Sequence, residues 1–193
     1  MTYISKIGLC LFLSGTLAIA SNSILEKKSD LIQNGKTIGF VQILTPVEII
    51  KSNKENSVIK IKGFRLENYP QMIVRDIKRK ELYAEFKDET IANNSFKILK
   101  TYEDEYGEVW HEVEGEFTVS TNTLTKDKDN LYLNAKKTYE RTCSMCHHLP
   151  LSTAYTVNQW PQQIESMMEQ VALDDTTKNL IIKYLQQNAA DAK

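Results

Sequence analysis

The pattern of apolar and polar positions along the 193 residues changes near residue 128. From about Leu31 to Lys126, apolar residues alternate with polar ones, which is typical of β-strands with one buried face. In Ser57–Phe64, for example, Ile59 and Ile61 share one face and the lysines share the other. Short strands separated by polar turns predict a small antiparallel barrel of the SH3-like type, with an irregular β-sandwich as the alternative.

From Asp129 onward the spacing of apolar residues is helical, and three helices are predicted. The first helix has Asp129 as its N-cap. The second begins near Trp160 and Pro161, since proline is tolerated in the first helical turn. The third follows Asp174 and Asp175, whose carboxylates suit the positive end of a helix dipole. The stripes predicted to be buried are Leu131, Ala135, Tyr139 and Cys143 in the first helix, Trp160, Ile164, Met167 or Met168, and Val171 in the second, and Leu180, Ile181, Tyr184 and Leu185 in the third.

The run Cys143-Ser-Met-Cys-His147 lies at the end of the first predicted helix. Two cysteines that are separated by two residues and followed by a histidine form the attachment signature of a c-type haem. This spacing brings both sulfurs to one edge of a porphyrin, where each forms a thioether, and His147 becomes the proximal ligand of the iron. The sequence therefore predicts one covalent haem c, bound through Cys143 and Cys146.

Three other structures could use the same cysteines. One is a local disulfide. Another is a thioredoxin-like redox pair, which normally follows a strand in a βαβ unit, and the surrounding sequence lacks such a unit. The third is a zinc site that adds His147 and His148, but adjacent histidines rarely converge on one metal and the chain has no second cysteine pair. The motif therefore favours the haem.

A thioether opposite the histidine would stabilise the reduced iron and raise its potential. Met145 lies between the two cysteines and cannot reach the opposite face, and Met72 belongs to the β-rich segment. Met167 and Met168 both lie on the second predicted helix, and Met167 is the predicted sixth ligand. The alternatives are Met168, or an open five-coordinate iron with both methionines serving only as core packing.

The N-terminus has the pattern of an export signal. Lys6 is followed by an uncharged apolar run that ends in Ala18-Ile-Ala20, which predicts a secretory signal peptide cleaved after Ala20. The run is shorter than the about 20 apolar residues of a membrane span, which favours a cleaved signal peptide over the alternative, an uncleaved anchor. No span is expected in the mature chain. Because haem is attached to cysteines outside the cytoplasm, the predicted location is the periplasm. The formal net charge of −1 argues against a nucleic-acid partner.

These patterns together predict an α+β fold. A signal peptide over residues 1–20 is followed by a small antiparallel SH3-like β domain over 21–128 and a three-helix, class I-like monohaem cytochrome c domain over 129–193. Within the β domain, the basic run Arg75–Lys80 and the acidic residues between Glu103 and Glu116 are predicted to be solvated faces and turns. Trp110 is either covered by loops or exposed for a partner, and His111 is predicted to pack in the core.

Several segments resemble one haem module, the C-terminal region of the cytochrome c-type subunit of trimethylamine-N-oxide reductase systems. The resemblance lies in Tyr139–Pro150 and Tyr155–Pro161, and Asn158-Gln-Trp160 and Lys183-Tyr-Leu185 narrow it to this family. It implies a periplasmic molybdenum reductase as electron acceptor and a docking role for the β domain. The better-known members carry an N-terminal membrane-anchored tetrahaem part, which has no counterpart here, so a separate upstream electron donor is expected.

The predicted function is that of a periplasmic monohaem electron carrier, not an enzyme, which passes electrons to a molybdenum-containing reductase of N- or S-oxides. Electron flow from a sulfite-oxidising enzyme fits the same residues but agrees less well with the resemblance. A second class of function is a haem-based sensor or docking protein with an open or exchangeable sixth ligand. A third is a thiol oxidoreductase, which requires that Cys143 and Cys146 carry no haem.

Overall fold

The computed structural model describes residues 21–145 and 148–193. The predicted signal peptide over residues 1–20, Cys146 and His147 lie outside the described residues. The ten described strands are β1 (Ser21–Leu25), β2 (Ser29–Gln33), β3 (Lys36–Val41), β4 (Pro46–Ser52), β5 (Asn56–Leu66), β6 (Tyr69–Val74), β7 (Leu82–Phe86), β8 (Lys97–Glu103), β9 (Val109–Ser120) and β10 (Leu124–Thr125). The four described α-helices are α1 (Glu89–Ser95), α2 (Lys128–Cys143), α3 (Trp160–Met167) and α4 (Asp175–Gln187).

The strands form one antiparallel sheet in the order β10-β1-β4-β5-β6-β7-β3-β2-β9-β8. The sheet closes into a six-stranded barrel because β5 also pairs with β9 along its whole length, from Asn56 opposite Ser120 to Leu66 opposite Trp110. The contact between β2 and β9, where Ile32 lies opposite Thr118, completes the ring. Both β5 and β9 are long enough to have two partners in succession on their other edge, so β4, β1, β10 and β8 extend the sheet beyond the barrel.

The period-two pattern in the sequence matches the inner and outer faces of these strands. Alternate residues of β5 and β9 are buried, and Ile59, Ile61, Val113 and Phe117 fill the barrel interior. The barrel also requires a close approach between β3 and β7 at Gly39. A Cβ atom there would overlap the carbonyl oxygen of Glu85 and lie 2.9 Å from the Cα of Phe86.

The helices begin at side-chain caps. Asp127 accepts a hydrogen bond from the backbone N–H of Asn130 and caps α2, so the prediction of Asp129 as the N-cap was wrong by two residues. Asp174 caps α4 in the same way through the N–H of Thr177, and α3 has a proline in its first turn. The two aspartates each pair a backbone N–H that the start of a helix would otherwise leave without a partner, and the proline of α3 has no such N–H.

The predicted fold class was wrong. The described part of the chain is mostly sheet, with ten strands, of which six close into a barrel, and four α-helices. It is not a small SH3-like domain followed by a three-helix class I cytochrome c fold. The physical reason is that the strands close into a barrel, and the helices after β10 pack on that barrel besides forming an apolar cluster among themselves. Leu131 of α2 packs with Ile43 and Leu44, which follow β3, and Lys183 of α4 is buried against Glu81, which precedes β7. The predicted division at residue 128 stays a prediction.

No α-helix in the described part of the chain combines the length and the apolar character that crossing a bilayer requires.

Candidate functional site

Helix α2 carries the first cysteine of the motif into the interior. The predicted stripe is confirmed, since Leu131, Ala135, Tyr139 and Cys143 are the buried residues of α2. Their spacing of four residues keeps them on one face of the helix. Cys143 is the last residue of α2 and only 8% exposed, so its sulfur lies at the point where the helix ends and the motif continues.

Cys143 belongs to an apolar cluster that α2, α3, α4 and the C-terminal residues build together. Its fully buried members include Val157, Trp160 and Leu185. The partly buried side chains that pack against this cluster are Leu149, Tyr155, Met167, Met168, Leu173, Ile182 and Tyr184. The structure therefore brings the predicted thioether ligand, Met167, and its alternative to the same cluster as Cys143.

The segment after the motif is fastened at two points. The hydroxyl of Tyr139 donates to the carbonyl oxygen of Pro150 at 2.9 Å, and the indole N–H of Trp160 donates to the carbonyl oxygen of Ser152 at 2.8 Å. Buried polar groups of this kind are paired because an unpaired one would be costly. These two bonds hold residues 150–152 against α2 and α3.

The surroundings of Cys143 are poorly hydrated. Burial raises the pKa of the Cys143 thiol above its ordinary value. Burial also raises the pKa of Tyr184, and it raises the pKa of Tyr139 well above the ordinary value. A thiol oxidoreductase needs a cysteine whose pKa is lowered, so that the thiolate is available. The direction found for Cys143 therefore speaks against the thiol alternative.

The loop between β6 and β7 joins this cluster to the barrel. Its residues Arg75 and Arg79 both donate to the carbonyl oxygen of Ala192, at 2.8 and 3.2 Å. Glu81, which is fully buried, accepts from Lys183 at 3.0 Å and from Gln187 at 2.7 Å. Burial lowers the pKa of Lys183, and the carboxylate of Glu81 opposes that shift.

A second link uses Asn158. Its side-chain oxygen accepts the backbone N–H of Lys80 at 2.8 Å, and its side-chain nitrogen donates to the carbonyl oxygen of Lys78 at 2.7 Å. The run Arg75–Lys80 lies in the loop between β6 and β7, with Lys78 and Lys80 exposed, and it also forms the contact between barrel and helices, which the charge pattern alone does not indicate. Sequence reasoning missed Glu81 as well. No local pattern indicates either contact, because the partners Lys183 and Asn158 follow 102 and about 80 residues later in the chain.

Two further expectations have clear outcomes. Trp110 is covered, being 4% exposed, with its indole N–H donating to Asp104 and the ammonium of Lys80 lying 5.2 Å from the ring centroid. His111 is buried as predicted, and its ring nitrogen Nδ1 is 3.0 Å from the hydroxyl of Thr101. Within residues 21–145 and 148–193, no three His, Cys, Asp or Glu side chains are grouped closely enough to hold a metal ion.

Comparison with known proteins points to cytochromes. The cytochrome c-type protein TorY of Escherichia coli O157:H7 is 20% identical over 151 residues, which make up 76% of this chain and 40% of that protein. The cytochrome c-type protein TorC of Escherichia coli strain K12 is 21% identical over 145 residues, 75% of this chain and 37% of TorC. The cytochrome c-type protein TorY of Haemophilus influenzae is 28% identical over 101 residues, 52% of this chain and 27% of that protein.

This chain thus spans less than half the length of the relatives that it matches. No protein-family model and no solved structure matches it. The similarity to cytochrome c-type proteins nevertheless extends over about three quarters of the chain.

Proposed function

We propose that this chain is a periplasmic monohaem c-type cytochrome that transfers electrons to a molybdenum-containing reductase of the trimethylamine-N-oxide type. Cys143 and Cys146 hold one haem through two thioethers, His147 is the proximal ligand, and Met167 is the sixth ligand. The protein is an electron carrier and not an enzyme, and it receives its electrons from a separate donor.

The observation that carries this proposal is the burial of Cys143 at the end of α2, within an apolar cluster against which Met167 also packs. A haem needs an apolar lining for its porphyrin and donors of the imidazole and thioether type for its iron. The described residues fit the apolar lining and the thioether donor, since the cluster is apolar and aromatic and two methionines adjoin it. The imidazole donor, His147, lies outside the described residues. The similarity to cytochrome c-type proteins supports the same conclusion.

The haem, when bound, supplies one-electron chemistry by alternating between ferric and ferrous iron. What the chain contributes is burial, orientation and exclusion of water. Tyr139 and Trp160 hold the segment that follows the motif through their hydrogen bonds to Pro150 and Ser152. Leu185 and Val157 are fully buried and help to keep solvent out of the cluster. An environment of low polarity favours the less charged state of a redox centre.

The direction of electron flow and the acceptor come from the resemblance to trimethylamine-N-oxide reductase systems. A molybdenum enzyme that reduces an N- or S-oxide consumes two electrons for each turnover, so a monohaem carrier must deliver them in two successive encounters. The barrel then provides the surface on which such an enzyme docks.

The first experiment tests haem attachment. The mature protein, produced in cells with a working haem-attachment system, should keep its haem stain on a denaturing gel and have the mass of polypeptide plus one haem. Ser replacement of both Cys143 and Cys146 should abolish the stain. A wild-type protein with the mass of bare polypeptide contradicts the proposal. Capture of a molybdenum enzyme from periplasm on the mature protein tests the acceptor.

The second experiment tests ligation. Met167→Ala should remove the absorption band at about 695 nm that marks a thioether bound to ferric haem, and Met168→Ala should keep it. The opposite result moves the assignment by one residue. Rapid binding of carbon monoxide by the reduced wild-type protein would instead favour the haem-based sensor with an exchangeable sixth ligand.

A further inference from the structure

Asn158 connects the start of α3 to the barrel. Its amide makes two hydrogen bonds in opposite senses with one strand-connecting loop, accepting from the N–H of Lys80 and donating to the carbonyl of Lys78. The two bonds lie side by side on the backbone, so together they fix both the position and the orientation of the side chain. A single surface bond would leave it free to rotate.

The residues beside Asn158 are held from the other direction. The N–H of Val157 donates to Asp191 at 2.7 Å, and its carbonyl oxygen accepts from Gln186 at 3.0 Å. Two positions further along, Trp160 begins α3 and is fully buried. The position of the first residues of α3 is therefore fixed by the barrel loop on one side and by α4 and the C-terminal residues on the other.

Helix α3 transmits this position to its far end. Met167 is the last residue of α3, seven residues after Trp160, and an α-helix rises about 1.5 Å for each residue. Over about 10 Å a helix behaves as a rigid rod, so a displacement at its start is reproduced at Met167. The loop that carries Arg75, Arg79 and Glu81 is itself fixed to Ala192 and Lys183.

We infer that Asn158 is a positioning residue, which places Met167 relative to Cys143 by fixing the start of α3 on the barrel loop. This inference rests on the proposed function, in which Met167 is the sixth ligand. It assigns to the barrel a role in setting the redox properties of the site, besides any role in docking.

The test compares Asn158→Ala with Asn158→Asp and with Asn188→Ala. Asn158→Ala removes both bonds to the loop, and Asn158→Asp keeps the acceptor for the N–H of Lys80. Asn188→Ala is the matched control. It removes a hydrogen bond of 2.7 Å from the side-chain amide of Asn188 to the carbonyl oxygen of Tyr184, and this bond stays within the helical segment and does not reach the barrel. Asn158 is exposed, so the variants are expected to fold.

The readouts are the band at about 695 nm, the midpoint potential and the hydrogen exchange of the α3 amides. Asn158→Ala should weaken the band, shift the potential and exchange its α3 amides about fivefold faster, with unchanged far-ultraviolet circular dichroism and haem stain. Asn158→Asp should give a smaller change, and Asn188→Ala should match the wild type.

The inference and the proposed function fail in different ways. Wild-type band, potential and exchange rates in Asn158→Ala would overturn the inference alone, as would equal changes in Asn188→Ala. A haem-bearing wild-type protein without the band would also overturn it, since Met167 would not be a ligand. A wild-type protein without covalent haem overturns the proposed function, and unchanged α3 exchange in Asn158→Ala would then reject the positioning role as well.

Discussion

The ion pair between Glu81 and Lys183 joins α4 to the barrel, and replacing Lys183 with methionine removes one half of it. The Nζ–Oε1 distance is 3.0 Å, Glu81 is fully buried and Lys183 is 4% exposed. The variant would leave the carboxylate of Glu81 in the interior. Its remaining partners are the amide of Gln187, at 2.7 Å, and the guanidinium of Arg75, at 3.7 Å.

Removing one partner of a buried ion pair costs about 3–5 kcal/mol, because the charge that remains has lost its solvation and its counter-charge. Since Gln187 and Arg75 still compensate part of that charge, we expect a loss near the lower limit, about 3 kcal/mol. For a chain of this size, each kcal/mol lowers Tm by about 2–4 °C, so Tm should fall by about 6–12 °C.

The measurement is urea unfolding followed by far-ultraviolet circular dichroism and by tryptophan fluorescence. One of the two tryptophans, Trp110, lies on β9 and the other, Trp160, on α3, so the fluorescence reports on barrel and helices. The double variant Glu81→Leu with Lys183→Met should recover most of the loss, because no buried charge remains. A loss under about 1 kcal/mol in Lys183→Met, or a double variant as unstable as the single one, would refute the reasoning.

Two other predictions concern the site and the barrel. Burial raises the pKa of Tyr139, so the folded chain keeps this proton where the unfolded chain releases it, and the stability that it contributes is complete below about pH 10 and is lost as the pH rises further. Tyr139→Phe should therefore reduce the fall in unfolding free energy between about pH 9 and pH 11, measured by urea unfolding, and an unchanged fall would contradict the burial argument. Gly39→Ala should destabilise the barrel by about 2 kcal/mol or more, because its methyl group meets the backbone of Glu85. Gly107→Ala is the comparison, with a φ of 78° but open space around it, and thermal unfolding that ranked it as the worse of the two would contradict the close approach at Gly39.

The sequence predicts those parts of the structure that depend on local periodicity. The stripe from Leu131 to Cys143 and the alternation around Ile59 are both found as predicted, because burial on one face follows directly from spacing. The stripe of α4 was predicted less well. Ile181 and Leu185 are buried, but Leu180 and Tyr184 are only half-buried and the charged Lys183 is inside.

The rest depends on contacts between distant residues. Closure of the barrel requires Ile32 to lie opposite Thr118, and no local pattern specifies such a pairing. Lys183 is inside only because Glu81, which is 102 residues earlier in the chain, meets it there. Charged residues normally indicate solvent, so the sequence does not predict that Arg75 and Arg79 also donate to the carbonyl oxygen of Ala192. Cys146 and His147 and their part in the site stay a prediction.

Strand β8 is the last strand in the order of the described sheet, and it pairs with β9 alone among the described strands. Ile98 and Leu99 are 45% and 41% exposed on it. A strand in this place offers backbone groups to a neighbouring copy, and positive side chains such as Lys97 and Lys100 oppose such pairing by mutual repulsion. At 0.1 M salt, the repulsion between exposed charges that are more than about 10 Å apart is largely screened. Concentrated preparations should therefore stay dispersed more readily in dilute buffer than in strong salt.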